Sequence, residues 1–398
     1  MTTHIFNTSE VQDFLRMASG LSQPGGDARA KQIVHRLLSD LFKAIDDLDI
    51  TSDEYWAGIA YLNTLGARSE AGLLSPGLGL DRYFDMRMDA EDAALGVEIG
   101  TPRTIEGPLY VAGAPVAQGF ARLDDGSDQA GHTLVMHGTV YAADGKPLPN
   151  ATVEVWHANT KGFYSHFDPT GEQQPFNMRR TIVTDAQGRY KFQSIVPVGY
   201  GCPPDGPTQA LLNQLGRHGN RPAHIHFFVT AEGHRKLTTQ INIDGDPLVF
   251  DDFAYATREG LVPALVERTD AASIQANGLT GPFAEIVFDI KLSALVNGVD
   301  NQIVDRPRLA DAIADAIQKE GRAPDLLVNA TAHTATRSTG CRDGCVMSSS
   351  TGGRPNAWCS ALIGLSLRSR LRIFMKRGQT DRATIGRIGS YPAFIYMR

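Results

Sequence analysis

The chain has 398 residues, 42% of them hydrophobic, which is enough apolar material for one large core or two modest ones and excludes disorder as the starting assumption. No apolar run reaches bilayer length and Met1–Ser22 lacks the basic-then-apolar order of a secretion signal, so a cytoplasmic protein without membrane insertion is expected. The net charge of −6 is uneven: from Arg322 onward there are 12 Lys+Arg and 3 Asp+Glu, while residues 1–321 carry 26 against 41, a net of −15 that argues against nucleic-acid binding by the main body.

Residues 1–115 read as a helical region. Ser9-Glu-Val-Gln-Asp-Phe-Leu opens one helix, and between Asp27 and Asp46 the residues Ile33, Leu37, Leu38, Leu41 and Ile45 recur at helical spacing. Thr51 and Glu54 fit a capping box, in which the threonine hydroxyl accepts from a first-turn amide and the glutamate reaches back, ahead of a Trp56, Ile59, Leu62 stripe. Core packing is the expected use of both stripes.

From about Gly131 the pattern changes to short β-rich runs at Thr133–Tyr141, Ala151–His157, Tyr190–Ile195, His224–Thr230, Leu237–Ile243 and Ala284–Leu292, separated by turns such as Asp244-Gly-Asp-Pro. Many short strands with few helices between them predict an antiparallel sandwich over 116–309 and an α+β chain as a whole. Residues 310–398 do not read as a domain. Ala310–Glu320 fits a helix, after which Ser, Thr, Gly and Arg dominate, Glu is absent, and Arg368–Arg377 is basic. Three of the four cysteines, Cys341, Cys345 and Cys359, lie in this extension without a fourth zinc ligand at a usual spacing, which leaves Cys202 alone in the body and no disulfide framework.

His224-Ile-His226 is the first constellation with chemistry in it, because side chains at i and i+2 of a strand share a face and two imidazoles can converge on one ion. Two ligands do not make a site. A cupin would place Glu three or four residues after the second His, whereas the nearest here is Glu232; a zinc hydrolase would have to recruit Glu232 or His234. Tyrosine phenolate suits a hard, highly charged ion such as Fe(III), and two tyrosines stand in glycine-flanked turns, Tyr164 in Lys161-Gly-Phe-Tyr-Ser-His and Tyr200 in Pro197-Val-Gly-Tyr-Gly-Cys-Pro-Pro. Any one tyrosine is otherwise an amphipathic packing residue.

Taken together, Gly138-Thr-Val-Tyr, Val153-Glu-Val-Trp-His-Ala-Asn, Gly162-Phe-Tyr-Ser, Thr184-Asp-Ala-Gln-Gly-Arg-Tyr, Pro197-Val-Gly-Tyr and Arg221-Pro-Ala-His-Ile-His resemble, in order, the catalytic domain of intradiol ring-cleaving dioxygenases, the catechol 1,2-dioxygenase branch in particular. The resemblance extends from Thr51 to about Arg308 and has no counterpart beyond about Ala310. It implies that Tyr164, Tyr200, His224 and His226 bind one Fe(III) per subunit. It further implies that Tyr200 is the ligand that substrate displaces, that Arg221 stabilises anionic charge on the substrate, and that Gln240 stands beside the metal. The same resemblance places Leu73, Pro76, Ile105, Pro108, Leu109, Phe253 and Ala254 near the ring, an apolar set that favours catechol over a carboxylated ring, with chlorocatechol and hydroxyquinol left as alternatives. O2 is the implied co-substrate and cis,cis-muconate the product. The helical region resembles the part through which such enzymes form homodimers, with a lipid held between subunits. A non-catalytic β-sandwich module shares the Gly138 and Thr184 motifs but has no reason to contain the four ligands.

Overall fold

The computed structural model of the protein describes residues 4–295. The expectations for residues 310–398, including the helix at Ala310–Glu320 and the three tail cysteines, lie outside the described residues.

The helical region contains α1 (Ser9–Ala18), α2 (Ala28–Leu48), α3 (Ser52–Ala67), α4 (Ala71–Gly77) and α5 (Leu80–Ala94). Each of the first three starts on a side chain that satisfies an orphan amide: Thr8 accepts from Val11, Asp27 from Ala30, and Thr51 from Glu54. The capping box is complete, with the Thr51 amide donating to Glu54 Oε2 at 2.8 Å. The stripes, however, are not core. No residue of α2 is buried, Leu37 is 64% exposed and Trp56 61%, and the stacked Phe14–Phe42 pair joins α1 to α2 away from the sandwich. Periodicity marks a face as apolar but does not say what covers it.

The sandwich is built from two sheets. The first runs β1 (Val116–Gln118), β5 (Arg179–Val183), β4 (Thr152–His157), β9 (His224–Thr230), β10 (Leu237–Asn242). The second runs β11 (Leu265–Arg268), β12 (Phe283–Val287), β3 (Thr133–Ala142), β6 (Arg189–Ile195), β2 (Phe120–Arg122), with β13 (Ile290–Leu292) also paired to β3. A two-stranded ribbon, β7 (Tyr200–Gly201) with β8 (Asn220–Arg221), and the short helices α6 (Pro207–Gln214) and α7 (Ala271–Ala276) complete it. The central ladders are antiparallel as expected, whereas β1, β2, β12 and β13 join in parallel, through connections too long for periodicity to pair. The run Ala284–Leu292 breaks into two strands at Phe288-Asp289, where Asp289 accepts from the Thr139 amide.

Alternation along the strands decides which side chains meet. Val153, Val155, Ile225, Phe227, Val229 and Ile241 of the first sheet face Leu134, Met136, Val140, Phe192 and Ile286 of the second in one core. The opposite face of β9 and β10 is therefore free to carry polar groups. Helix α5 is tied to the connecting segments by charge: Asp85 pairs with Arg258 at 2.7 Å, and buried Asp92 with both Arg103 and Arg235.

Candidate metal centre and substrate pocket

On β9, Ile225 points into the core and His224 and His226 point away from it, as alternation requires. The antiparallel register sets Gln240 opposite His226 and Asn242 opposite His224, so all four polar residues share one buried face. Trp156, paired with His226 from β4, lies flat on its ring at 4.9 Å.

The two tyrosines arrive on loops whose glycines permit close approach. Gly162 has φ +78°, and a Cβ there would stand 3.0 Å from Cβ of Tyr200; the turn is templated by Asn159 Oδ1, which accepts from the amides of Lys161 and Phe163. A Cβ at Gly199 would sit 2.5 Å from the carbonyl of Arg221, the residue that faces Tyr200 across the β7–β8 ribbon.

Four donor atoms converge as a result. His224 Nε2 lies 3.3 Å from Tyr164 Oη, 3.2 Å from Tyr200 Oη and 3.1 Å from His226 Nε2, and the two phenol oxygens are 3.4 Å apart. Donors about 2.1 Å from a shared ion at angles of about 95–110° stand about 3.1–3.4 Å from each other, so these separations fit a metal polyhedron. The proton inventory agrees. Nδ1 of His224 donates to the Pro222 carbonyl at 2.7 Å, which leaves the lone pair of Nε2 aimed at the shared centre. Burial drives the His224 pKa down to about 3 and that of His226 well below its ordinary value, so both imidazoles are neutral and able to donate a lone pair. Burial likewise raises the Tyr164 phenol, opposed by Arg221 and Arg179. Arg179 is fully buried, its guanidinium 5.7 Å from the Tyr164 ring, and it donates only to neutral acceptors, Ser165 and the Leu109 carbonyl. Its pKa falls to about 10 through burial, and a phenolate at Tyr164 would supply the missing counter-charge.

Arg221 is clamped on several sides. Nε and Nη2 meet Asp252 at 3.2 and 3.1 Å, Nη2 also donates to Gln240 Oε1 at 2.8 Å, and Nη1 lies 3.0 Å from His224 Nε2. Burial opposes its charge, but Asp252 and the tyrosines more than offset this and raise its pKa, so it is a permanent cation. Over the centre runs the segment Ile105–Leu109; a Cβ at Gly107 would lie 3.7 Å from Cε1 of His226. Ile105, Phe253 and Ala254 form one apolar cluster with Leu73 against it, and Leu109 packs with Tyr164 and Tyr200 in the adjoining one. Pro108 approaches α4 beside Gly72, and Pro76 is buried within that helix. The structure thus brings Tyr164, Tyr200, Arg221, His224, His226 and Gln240 together, with Ile105, Pro108, Leu109, Phe253, Ala254 and Leu73 around them and Pro76 inside α4, whereas Glu232 and half-buried His234 sit in the β9–β10 turn.

Sequence reasoning missed Asp252, Arg179, Asn242 and Thr257. Asn242 had a readable signal, since it follows Gln240 at i+2 as His226 follows His224. Asp252 had none, because its partner Arg221 is 31 residues away and joined only by the fold.

Comparison with known proteins gives this geometry a family. A model described as "Catechol dioxygenase N terminus" matches residues 27–96, and one described as "Dioxygenase" matches 105–294. The catechol 1,2-dioxygenase of Acinetobacter baylyi is 74% identical over 310 residues, 78% of this chain and 100% of that one. The chain belongs to the intradiol dioxygenase family. Catechol 1,2-dioxygenase 1 of Acinetobacter lwoffii is 59% identical over 77% of this chain and 98% of that one. The solved structure of an Acinetobacter catechol 1,2-dioxygenase inhibited by bound mercury superposes with a TM-score of 0.75 at 74% identity, covering 77% of this chain and 99% of that one. Family members named chlorocatechol and hydroxyquinol 1,2-dioxygenase are more distant, at 34% and 33% identity. As an intradiol dioxygenase, the chain is an oxidoreductase rather than a zinc hydrolase or a binding module.

Proposed function

We propose that Tyr164, Tyr200, His224 and His226 hold one Fe(III) per subunit, and that the enzyme cleaves catechol with O2 between its two hydroxyl-bearing carbons to give cis,cis-muconate. The observation that carries this reading is the convergence of four donor atoms within 3.1–3.4 Å of His224 Nε2 or of each other, on the face of β9 turned from the core. Higher identity to relatives named for catechol than to those named for its chlorinated and hydroxylated forms supports the unsubstituted ring. The apolar lining of Leu73, Ile105, Phe253 and Ala254 agrees with that choice.

Held by Tyr164, Tyr200, His224 and His226, ferric iron would supply Lewis-acid chemistry that makes the aromatic ring receptive to O2. The residues around it divide the remaining work. Tyr164 is 1% exposed and packed among Trp156, Tyr110 and Phe228, which suits a ligand that stays in place. Tyr200 is only partly buried, on a two-residue strand, and its oxygen is the better placed acceptor for a catechol hydroxyl proton. Arg221, fixed beside His224, stabilises negative charge developing on the substrate. Ile105, Phe253 and Ala254 exclude water from the ring.

The exposed stripes of α1–α3 support a homodimer with a lipid between the subunits, the role their apolar side chains cannot fulfil alone. No described helix is long and apolar enough to cross a membrane. The acidic body, and Cys202 free of a disulfide among the described residues, favour a cytoplasmic location. The deciding test of the reaction is the visible spectrum of purified, iron-loaded protein before and after anaerobic catechol, followed by air. A tyrosinate-to-iron band that shifts with catechol and recovers as muconate absorbance grows is expected. An iron-replete but colourless protein overturns the phenolate ligation.

A further inference from the structure

We infer that Asn242 and Thr257 are positioning residues that lock the Gln240 carboxamide with its oxygen on Arg221. The inference deepens the proposed ring-cleavage reading and rests on it. A hydrogen-bonded chain leads from the site outward: Arg221 Nη2 to Gln240 Oε1 at 2.8 Å, Gln240 Nε2 to Asn242 Oδ1 at 2.7 Å, Asn242 Nδ2 to Thr257 Oγ1, and Thr257 Oγ1 to the Val249 carbonyl. Gln240 and Asn242 are 0% and 1% exposed, so water does not compete for these bonds.

The polarity of this chain is set at both ends. A guanidinium only donates and a backbone carbonyl only accepts. Thr257 must spend its single proton on Val249, so its oxygen is left to accept from the Asn242 amide nitrogen. Asn242 must then offer its oxygen to Gln240, and Gln240 must turn its nitrogen outward and its oxygen to Arg221. A carboxamide by itself has two orientations of similar shape, and the wrong one would set an N–H of Gln240 against an N–H of Arg221. The Thr257 hydroxyl discriminates between them from two hydrogen bonds away. With Asp252 holding the Nε–Nη2 edge of the guanidinium and Gln240 also accepting from Nη2, Nη1 is left aimed at the His224 end of the centre.

The same two strands explain why the relay exists. Register places Asn242 opposite His224 and Gln240 opposite His226, so the amides line up as the imidazoles do. Thr257 then joins them from the Val249–Thr257 segment, which also contributes Asp252, Phe253 and Ala254. One segment thus fixes the ring-facing wall, the arginine and the glutamine together.

The test is a double-mutant cycle on the iron-loaded enzyme. Thr257→Val and Thr257→Ala both remove the hydroxyl, and Thr257→Ser restores it; each is made in the wild-type chain and in a Gln240→Leu background, with kcat and KM for catechol and the melting temperature measured. In the wild-type background, kcat should fall about five- to tenfold with KM changed by less than about twofold, the scale of one neutral hydrogen bond, and Thr257→Ser should recover most of the rate. In the Gln240→Leu background, the same changes should lower kcat by less than about 1.5-fold. A full loss persisting there overturns the relay, because the hydroxyl would then act by another route. Gln240→Leu with undiminished kcat overturns the role of Gln240 and the relay with it. Absence of catechol cleavage by the unaltered enzyme refutes the proposed function itself, before any variant is compared.

Discussion

Replacing Asp252 by alanine removes the carboxylate that holds Arg221, and its cost can be worked from the geometry. The pair is nearly dry, with side chains 4% and 1% exposed, and two guanidinium nitrogens meet the two carboxylate oxygens at 3.1–3.2 Å. The same carboxylate accepts from the amides of Ala254 at 3.0 Å and Ala256 at 3.4 Å. Breaking a buried pair by deleting one partner costs about 3–5 kcal/mol, because the other charge is left uncompensated. Loss of the amide acceptors adds to this, although the terms overlap. At roughly 2–4 °C per kcal/mol, the melting temperature should fall by about 10 °C in calorimetry. Arg221→Met combined with Asp252→Ala should be more stable than Asp252→Ala alone, since no lone charge is then buried. The single variant should also lose about tenfold in kcat through a misplaced Arg221. A melting temperature within about 2 °C of wild type, or a double variant less stable than either single one, would refute the reasoning.

Four further outcomes follow from other parts of the structure. Tyr200→Phe should shift the visible band of the iron-loaded protein and slow turnover strongly, whereas His226→Ala should abolish stoichiometric iron on metal analysis; unchanged colour in the first or retained iron in the second contradicts the ligand set. His157 is fully buried between the Ala158 carbonyl and Ser194, and burial lowers its pKa to about 4 from 6.5. The folded state therefore resists a proton that the unfolded chain accepts, so stability is full above about pH 6.5 and declines by about 3 kcal/mol as pH falls to about 4. His157→Gln should flatten that window in urea titrations, and parallel curves for the two proteins would count against it. Leu37→Glu, at a position 64% exposed on the apolar stripe of α2, should run as a monomer in size-exclusion chromatography with light scattering where the unaltered protein runs as the proposed dimer; a dimer in both proteins places the interface elsewhere.

Much of the site was legible before the fold. The His224-x-His226 spacing needs only strand alternation to put two imidazoles on one face, and Gly162 and Gly199 flagged tight turns next to Tyr164 and Tyr200. The ordered motifs supplied the family resemblance, which brought Arg221, Gln240 and the apolar ring-facing residues with it. The strand set was likewise readable, because alternation and turn residues are local properties: His224–Thr230 was anticipated to the residue. The capping box at Thr51 and Glu54 belongs to the same class, since both partners lie within one helical turn.

Tertiary structure alone decided the remainder. The parallel pairing of β12 and β13 with β3 joins segments about 150 residues apart, which no local pattern encodes. The stripe on α2 looked the same as a core stripe, and only the placement of the helices showed it turned away from the chain's own core. Asp85 and Asp92, on a helix whose polarity suggests an exposed face, are buried because Arg258, Arg103 and Arg235 arrive from distant parts of the chain. Asp252 and Thr257 resemble ordinary loop residues until the fold sets them against Arg221 and Asn242. Local sequence determines what each side chain can donate, accept or bury; which partner it meets depends on loops and registers that only close when the whole core packs.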